Sequence, residues 1–330
     1  MQPVRVALLG CGGFMGAHAK RLLPMSDAKI VALCDVNLPQ VEEFRDKHLE
    51  ANPAIACFTD PAAMYREAKP DAVFIATPHT MHFEHGLQAL AAGCHVYMEK
   101  PMVTNADDAY KLAAKAKATG KILVVGYNTS NTASFAWIRD TIRKGTLGKL
   151  ELVQGFLSQG WMKATVGKWR QEPALSGGGQ AYDSGAHLFN SLIWSVESRP
   201  AEVFAFVDNH GTQVDINSVT SIRFANGVLA NIMISGNCPA NSSFMTFVFE
   251  DGRIDVDGWS GNGLKAWKGN QPLEVTLPTE DGTPDRNFID AILGKAQPKT
   301  TPVNGIHQTE LMDAIYESAR TGKPATPKAH

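Results

Sequence analysis

The sequence predicts a chain in two parts: a doubly wound parallel α/β half, then an α+β half built on a mostly antiparallel open sheet with helices. Three observations predict it. At about 150 residues per domain, 330 residues make roughly two domains. Up to Gly126, short and continuously apolar runs alternate with helical stretches, the pattern of parallel strands joined by crossover helices. Beyond Tyr127, strands follow one another directly. The expected division is 1–126 and 127–330.

In the first half the run VRVALLG is followed by an Ala/His/Leu helical segment to Leu23, the strand KIVALCD and a charged amphipathic stretch from Pro39 to His48. DAVFIAT, a helix pattern from His82 to Ala92, HVYME, the helical DDAYKLAAKAKA and KILVVGY complete it. In the second half a helix over Phe135 to Lys144 precedes the strands KLELVQGFL, AEVFAFVD, SVTSIRF, GVLANIMIS, FMTFVFE and RIDVDG. Asn226-Gly227 and Asp251-Gly252 fall between such runs and signal hairpins. A helix carrying Asp183 to Trp194 interrupts the strands, and Phe288 to Leu293 and His307 to Arg320 read as helices near the end.

Composition narrows the function classes. Lys and Arg number 31 against 33 Asp and Glu, so no basic excess is present to hold a nucleic-acid backbone. The apolar run Val4 to Leu9 is too short to span a bilayer and leads into glycines rather than a cleavage site, so the expectation is a cytoplasmic chain with no membrane partner. Five Cys without a C-x-x-C pair argue against both a disulfide framework and a zinc ribbon. His79, His82 and His85 recur at three-residue spacing, but only Glu84 stands near them and it points elsewhere on the helix, so no metal is expected.

Gly10-Cys11-Gly12-Gly13-Phe14-Met15-Gly16 follows the first strand and opens the first helix. There, glycines let backbone N–H groups approach a pyrophosphate at a helix N-terminus. Met15 stands where the third glycine of G-x-G-x-x-G belongs and Gly16 comes one place late, which predicts a helix slightly farther from the strand. Asp35 ends the second strand, placed to accept hydrogen bonds from both ribose hydroxyls of an adenosine and to repel a 2′-phosphate. Neither Val36 nor Asn37 is a cation, so NAD is expected over NADP.

Glu99-Lys100-Pro101 closes HVYME, at the carboxyl end of a parallel strand where open sheets bind ligands. Asp183 and His187, four residues apart on the expected helix, share a face. Trp169 and Arg170 precede the triple glycine Gly177–Gly179; an aromatic ring stacks on sugar faces and a guanidinium forks to hydroxyls, although core packing is an equal reading for the tryptophan. The glycines serve either a moving lid or a tight backbone path.

Taken together, GCGGFMGAHA, ATPHTMHFEHGLQALAAGCHVYMEKP (Ala76 to Pro101), SGGGQAYDSGAHLFN (Ser176 to Asn190) and the tail IYESARTGKPATP resemble the Gfo/Idh/MocA family of NAD(P)-dependent dehydrogenases over nearly the whole chain. The resemblance implies an N-terminal Rossmann domain, a C-terminal substrate-binding and oligomerisation domain, and hydride transfer between the cofactor and a CH–OH group of a sugar, inositol or related polyol. It implies Lys100, Asp183 and His187 as catalytic residues. His187 would be general base in oxidation, since a histidine titrates near neutral pH. Lys100 would hydrogen-bond the reacting oxygen, and Asp183 would orient the imidazole or contact a neighbouring hydroxyl. Gly10, Gly12, Gly13, Phe14, Met15, Asp35, Thr77, Pro78, His82, Glu99 and Lys100 would line the cofactor, and Asn128, Trp169 and Arg170 the substrate. In the family a cis peptide bond commonly precedes the residue matching Pro101.

Two other readings accompany this one: a cofactor-retaining enzyme that cleaves glycosides through transient oxidation, and a non-catalytic NAD-bound sugar sensor. The expected partners are copies of the chain, as homodimer or homotetramer, because Leu229, Met233 and Phe247 suggest an apolar outer sheet face. The alternative is that helices cover both faces.

Overall fold

The structure, a computed structural model, describes residues 2–279 and 282–329. Two compact units emerge from it. One comprises Met1–Val103, Asp107–Gly126 and Gly282–Pro302, the other Thr104–Ala106, Tyr127–Asp281 and Val303–His330. The chain thus crosses at Gly126–Tyr127, and residues 282–302, expected in the second part, return to the first.

The first unit alternates β1 (Val4–Leu9), α1 (Met15–Leu22), β2 (Ala28–Cys34), α2 (Leu38–His48), β3 (Ala56–Phe58), α3 (Pro61–Ala68), β4 (Ala72–Ile75), α4 (His82–Ala91), β5 (His95–Met98), α5 (Ala106–Thr119) and β6 (Leu123–Val125). All five strand pairings are parallel, in the order β3-β2-β1-β4-β5-β6. The order reverses between β1 and β4, and at such a switch point the strand ends leave a crevice for a ligand. Strand β3 is absent from the expected runs; three residues cannot show a period. Asp60 caps α3 by accepting from the N–H groups of Ala62 and Ala63, and Pro61 starts it at the position where the missing N–H costs nothing.

The second unit holds α6 (Ala133–Lys144), β7 (Leu150–Ser158), the helical turns α7 (Trp161–Ala164) and α8 (Pro173–Ser176), and α9 (Gly185–Val196). Then come β8 (Pro200–Asp208), β9 (Asn217–Phe224), β10 (Leu229–Ser235), β11 (Ser242–Phe249), β12 (Gly252–Val256), β13 (Lys265–Lys268) and β14 (Gln271–Leu273). Their order is β14-β13-β12-β11-β7-β10-β9-β8, antiparallel throughout except for the β7–β10 pair. Both expected hairpins form, β9–β10 and β11–β12. In β10, Ala230, Ile232 and Ile234 turn inward to a core shared with Leu188, Phe189 and Leu192 of α9.

Helix α10 (Pro284–Ile292) belongs to the first unit, and α11 (Pro302–Thr321) to the second. Phe288 and Ile289 of α10 are fully buried in the first unit's core, and the Phe288 ring meets Phe74 and Tyr97 edge-on, which is why this late segment folds back there. Among the described residues no helix is long and apolar enough to cross a membrane.

Candidate functional site

In the first unit the glycine turn is shaped by two different demands. Gly10 has φ +92°, and a Cβ there would lie 2.8 Å from the Ala76 carbonyl at the end of β4, so only glycine fits. At Gly12 and Gly13 a Cβ would meet nothing within 4 Å. These two glycines leave open space above the turn, at the N-terminus of a helix whose first turn has neither a side-chain cap nor an acidic residue. That arrangement fits a dinucleotide pyrophosphate. Gly16 abuts the His48 ring of α2, where a Cβ would lie 2.8 Å from the imidazole, so the late glycine serves helix–helix packing while Met15 fills the core. Phe14 is exposed beside the turn.

Asp35 follows β2 and accepts the Cys11 N–H at 2.9 Å, tying the turn to the strand end where a ribose would lie. Burial, with the charge of Asp35 adding to it, pushes the Cys11 thiol up to about 12, so it stays protonated as a small hydrophobe. Thr77 and Pro78 follow β4. Thr77 Oγ1 is 3.0 Å from His85 Nδ1. His82 is fully buried, its ring nitrogens 2.7 Å and 2.9 Å from the carbonyl oxygens of Pro101 and Thr77, and burial pulls its pKa below the usual value. The imidazole thus links the two loops after β4 and β5 rather than opening toward a ligand. The Lys100–Pro101 peptide bond is cis. Lys100 is half-buried, and its N–H donates to Glu99 Oε2 at 3.2 Å; the Glu99 carboxylate is itself buried.

In the second unit the expected helix begins later than its spacing suggested. Asp183 sits in the turn before α9, its N–H bonded to Gly179 O, while His187 is the third residue of the helix. Both are buried. Asp183 Oδ2 accepts from Trp161 Nε1 at 2.8 Å and from Arg170 Nε at 3.0 Å, and Arg170 lies over the Trp169 ring. The His187 ring packs on Trp259, centroids 4.4 Å apart. Asn128, by contrast, opens a 3-10 turn, Thr129–Asn131, whose Thr129 hydroxyl bonds Ser191 of α9 at 2.7 Å.

The triple glycine follows a tight backbone path. A Cβ on Gly179 would overlap the Asp215 carbonyl oxygen, one on Gly178 the Tyr316 hydroxyl, and one on Gly177 the Thr104 side chain. Asp215 is buried, and its carboxylate accepts the N–H groups of Gly179 and Ala181 at 2.6 and 2.7 Å and the Tyr316 hydroxyl at 2.6 Å. Burial raises its pKa while these donors hold it down, with a net upward shift. Asp215, Tyr316 and Trp259 escaped the sequence reading as site-building residues, and Trp161, in the sequence only one of the aromatic and cationic residues ahead of the triple glycine, turns out to hold Asp183. No local spacing marks them, since each acts on a partner 22 to 101 residues away or, for Trp259, from a turn with no period.

The parallel sheet with its switch point, and the glycine turn open above an uncapped helix N-terminus, together define a dinucleotide-binding fold. Residues 4–127 match the family model described as an oxidoreductase family with an NAD-binding Rossmann fold, and residues 135–260 match the GFO/IDH/MocA C-terminal domain. The chain belongs to the Gfo/Idh/MocA family. It is 30% identical to the D-glucoside 3-dehydrogenase of Escherichia coli, over 97% of this chain and 96% of that protein. It is 25% identical to the scyllo-inositol 2-dehydrogenase (NADP(+)) of Bacillus subtilis, over 75% of this chain and 76% of that protein. The fold superposes on the WlbA dehydrogenase of Bordetella pertussis, solved with NADH and UDP-GlcNAcA, with a TM-score of 0.87 at 24% identity over the whole of both chains.

Proposed function

We propose that the protein transfers a hydride between NAD and a secondary alcohol of a sugar, inositol or related polyol. The observation that carries this reading is the pinned turn before α9: Asp183 is held by Trp161 and Arg170, and His187 follows one turn later against Trp259. A buried Asp/His pair flanked by three indoles and a guanidinium suits an uncharged, many-hydroxyl ligand whose apolar ring face stacks while its hydroxyls bond. The relatives' names, a glucoside and an inositol dehydrogenase, agree with that chemistry.

Bound nicotinamide supplies the hydride acceptor in oxidation. The chain's own residues manage the alcohol oxygen. His187 takes its proton as general base and returns it in the reverse direction. The Lys100 ammonium donates to the same oxygen and stabilises the negative charge that develops on it. Asp183, fixed by its two donors, holds its charge where a neighbouring hydroxyl or the His187 imidazole can use it. Trp169 and Arg170 contact the sugar ring and its hydroxyls, and Asn128 is a further substrate contact. For the cofactor, Asp35 bonds the adenosine ribose and disfavours a 2′-phosphate, while Val36, 83% exposed, offers no cation in compensation.

A panel of inositols, aldoses, anhydrosugars and glycosides with NAD, read by NADH absorbance, tests the reading. Lys100→Ala and His187→Ala are each expected to lower kcat by about 10²–10⁴ with NADH affinity retained. Unchanged turnover in both would remove the assignment. Product formation without net NADH would point instead to transient oxidation and bond cleavage, and a higher kcat/KM with NADP would overturn the cofactor preference.

We further infer that copies pair through the outer face of the eight-stranded sheet. Leu152, Val219, Leu229 and Phe244 stay exposed there, and Leu152 and Leu229 line a depression of about 510 Å³ together with Phe204 and Val248, whereas Phe247, expected on this face, is buried in the core. An apolar face of this kind is costly to leave in water.

A further inference from the structure

The first unit holds a charged cluster behind the Lys100 end of β5 that the reaction as described leaves unused. His18, on α1, is 1% exposed. Its Nδ1 lies 2.6 Å from Asp285 Oδ1 and its Nε2 3.1 Å from Glu99 Oε1. Both partners are carboxylates. A neutral imidazole carries a single N–H and would leave one ring nitrogen facing an acceptor, so only the imidazolium satisfies both.

Burial alone opposes that charge. The hydrogen bonds to Asp285 and Glu99 and the charges of both outweigh it, and the His18 pKa is pushed up to about 9. Asp285, wholly buried, accepts from Arg21 at 3.0 Å through its second oxygen, so two cations balance two carboxylates. Phe14, Phe74 and Tyr97 pack around the imidazole, ring centroids 5.0–5.3 Å away. The charged and titratable groups around it are therefore Asp285 from α10, Arg21 from its own helix, Tyr97 from β5 and Glu99 directly after β5. Burial first, then the two carboxylates, keeps the Tyr97 phenol protonated well past its usual range.

Glu99 connects this cluster to the candidate site. One carboxylate oxygen faces His18 and the other accepts the Lys100 N–H. Gly126, at the end of the neighbouring strand β6, leaves room for it: a Cβ there would lie 2.5 Å from Glu99 Oε1. We propose that His18, clamped by Asp285, is a positioning residue for Lys100: its imidazolium fixes the Glu99 carboxylate that anchors the Lys100 backbone where that side chain leaves the sheet. The inference rests on the role given to Lys100 above. Its sign is definite. Below about pH 9 the cluster is balanced; as pH rises through that value, the imidazole keeps a single N–H for two carboxylates and an uncompensated negative charge remains in the cluster behind Lys100.

Nitrogen-15 spectra of the full chain test this without substrate, with His18 assigned by His18→Gln. Both ring nitrogens are expected to stay protonated through neutral pH and to titrate near 9, and the Lys100 amide resonance to move with the same midpoint. Asp285→Asn is expected to lower both midpoints together by about one unit or more. With a substrate from the panel, the alkaline limb of kcat follows them, kcat falls up to about a hundredfold and NADH affinity is little changed. A His18 found neutral at pH 7, or a Lys100 amide indifferent to its titration, would overturn the proposal even if the variants fail to fold. Variants that lower Tm but leave the alkaline limb in place would assign His18 a merely structural role and overturn it too. A panel yielding no substrate counts against the dehydrogenase reading alone, because the spectra decide the coupling by themselves.

Discussion

At the scale of single residues, the glycine turn separates two reasons for the same amino acid. Gly10 is required by its left-handed backbone and by the Ala76 carbonyl 2.8 Å from any Cβ, whereas Gly12 faces open space. Gly10→Ala is therefore expected to destabilise the protein by about 2–3 kcal/mol, and Gly12→Ala to leave Tm within a degree or two of wild type. Gly12→Ala should instead weaken NADH binding, since its methyl occupies the space over the turn. Thermal melts and NADH fluorescence titrations of both variants check the pair; equal Tm losses would show that Gly12 is structural as well. Gly10, Gly12 and Asp35 were legible because the glycine turn and the acidic strand end fall within one β–α–β stretch, whereas Lys100, Asp183 and His187 stood out through the family resemblance of the motifs that hold them. His18 was not legible, because its acceptors stand 81 and 267 residues away.

At the scale of elements, α9 must be held still if Asp183 and His187 are to work. Its C-terminus ends on Glu197, in a left-handed conformation with φ +52°, whose carboxylate accepts from Arg139 and Arg143 of α6. Burial alone would raise the pKa of Glu197, but the two guanidinium groups hold it down at about 2. A carboxyl group depressed in this way stabilises the fold above its ordinary pKa near 4.5, and that contribution is lost as pH falls through about 2. Glu197→Gln is expected to cost about 1–2 kcal/mol at pH 7 and to flatten the dependence of Tm on pH between about 5 and 2. An acid limb unchanged from wild type would refute the clamp. The Asp183 turn shows what a helical spacing cannot convey. The hydrogen bonds Asp183 N–H to Gly179 O and Gly185 N–H to Gln180 O continue a helix-like rise, yet regular helix starts only at Gly185. Strands β13 and β14, like β3, lie below the length at which alternation can be recognised.

At the scale of the whole molecule, the eight-stranded sheet has one face committed to α9 and α11 and one that keeps its apolar side chains exposed. Leu152 and Leu229 are register partners on adjacent parallel strands at that face, 45% and 39% exposed. Burying a leucine side chain contributes about 1.5–3 kcal/mol, so placing charges here removes several kcal/mol from any pairing through the face. Sedimentation of the wild type at micromolar concentration should show a dimer or tetramer, and Leu152→Glu with Leu229→Glu a monomer that still binds NADH. A wild-type monomer would refute pairing outright.

The sequence by itself determined the two sheet types and the glycine turn with its acidic strand end, because each is written in local periodicity or a compact motif, and its family resemblance singled out Lys100, Asp183 and His187 as candidates. Only the tertiary structure decided what holds those groups. The Asp215 brace of the triple glycine, the Trp161 and Arg170 grip on Asp183, the return of α10 to the first unit and the His18 cluster behind Lys100 all join distant stretches of chain. Such partners are selected by burial and by the cost of leaving a charge unpaired inside the fold, and neither leaves a mark on local spacing.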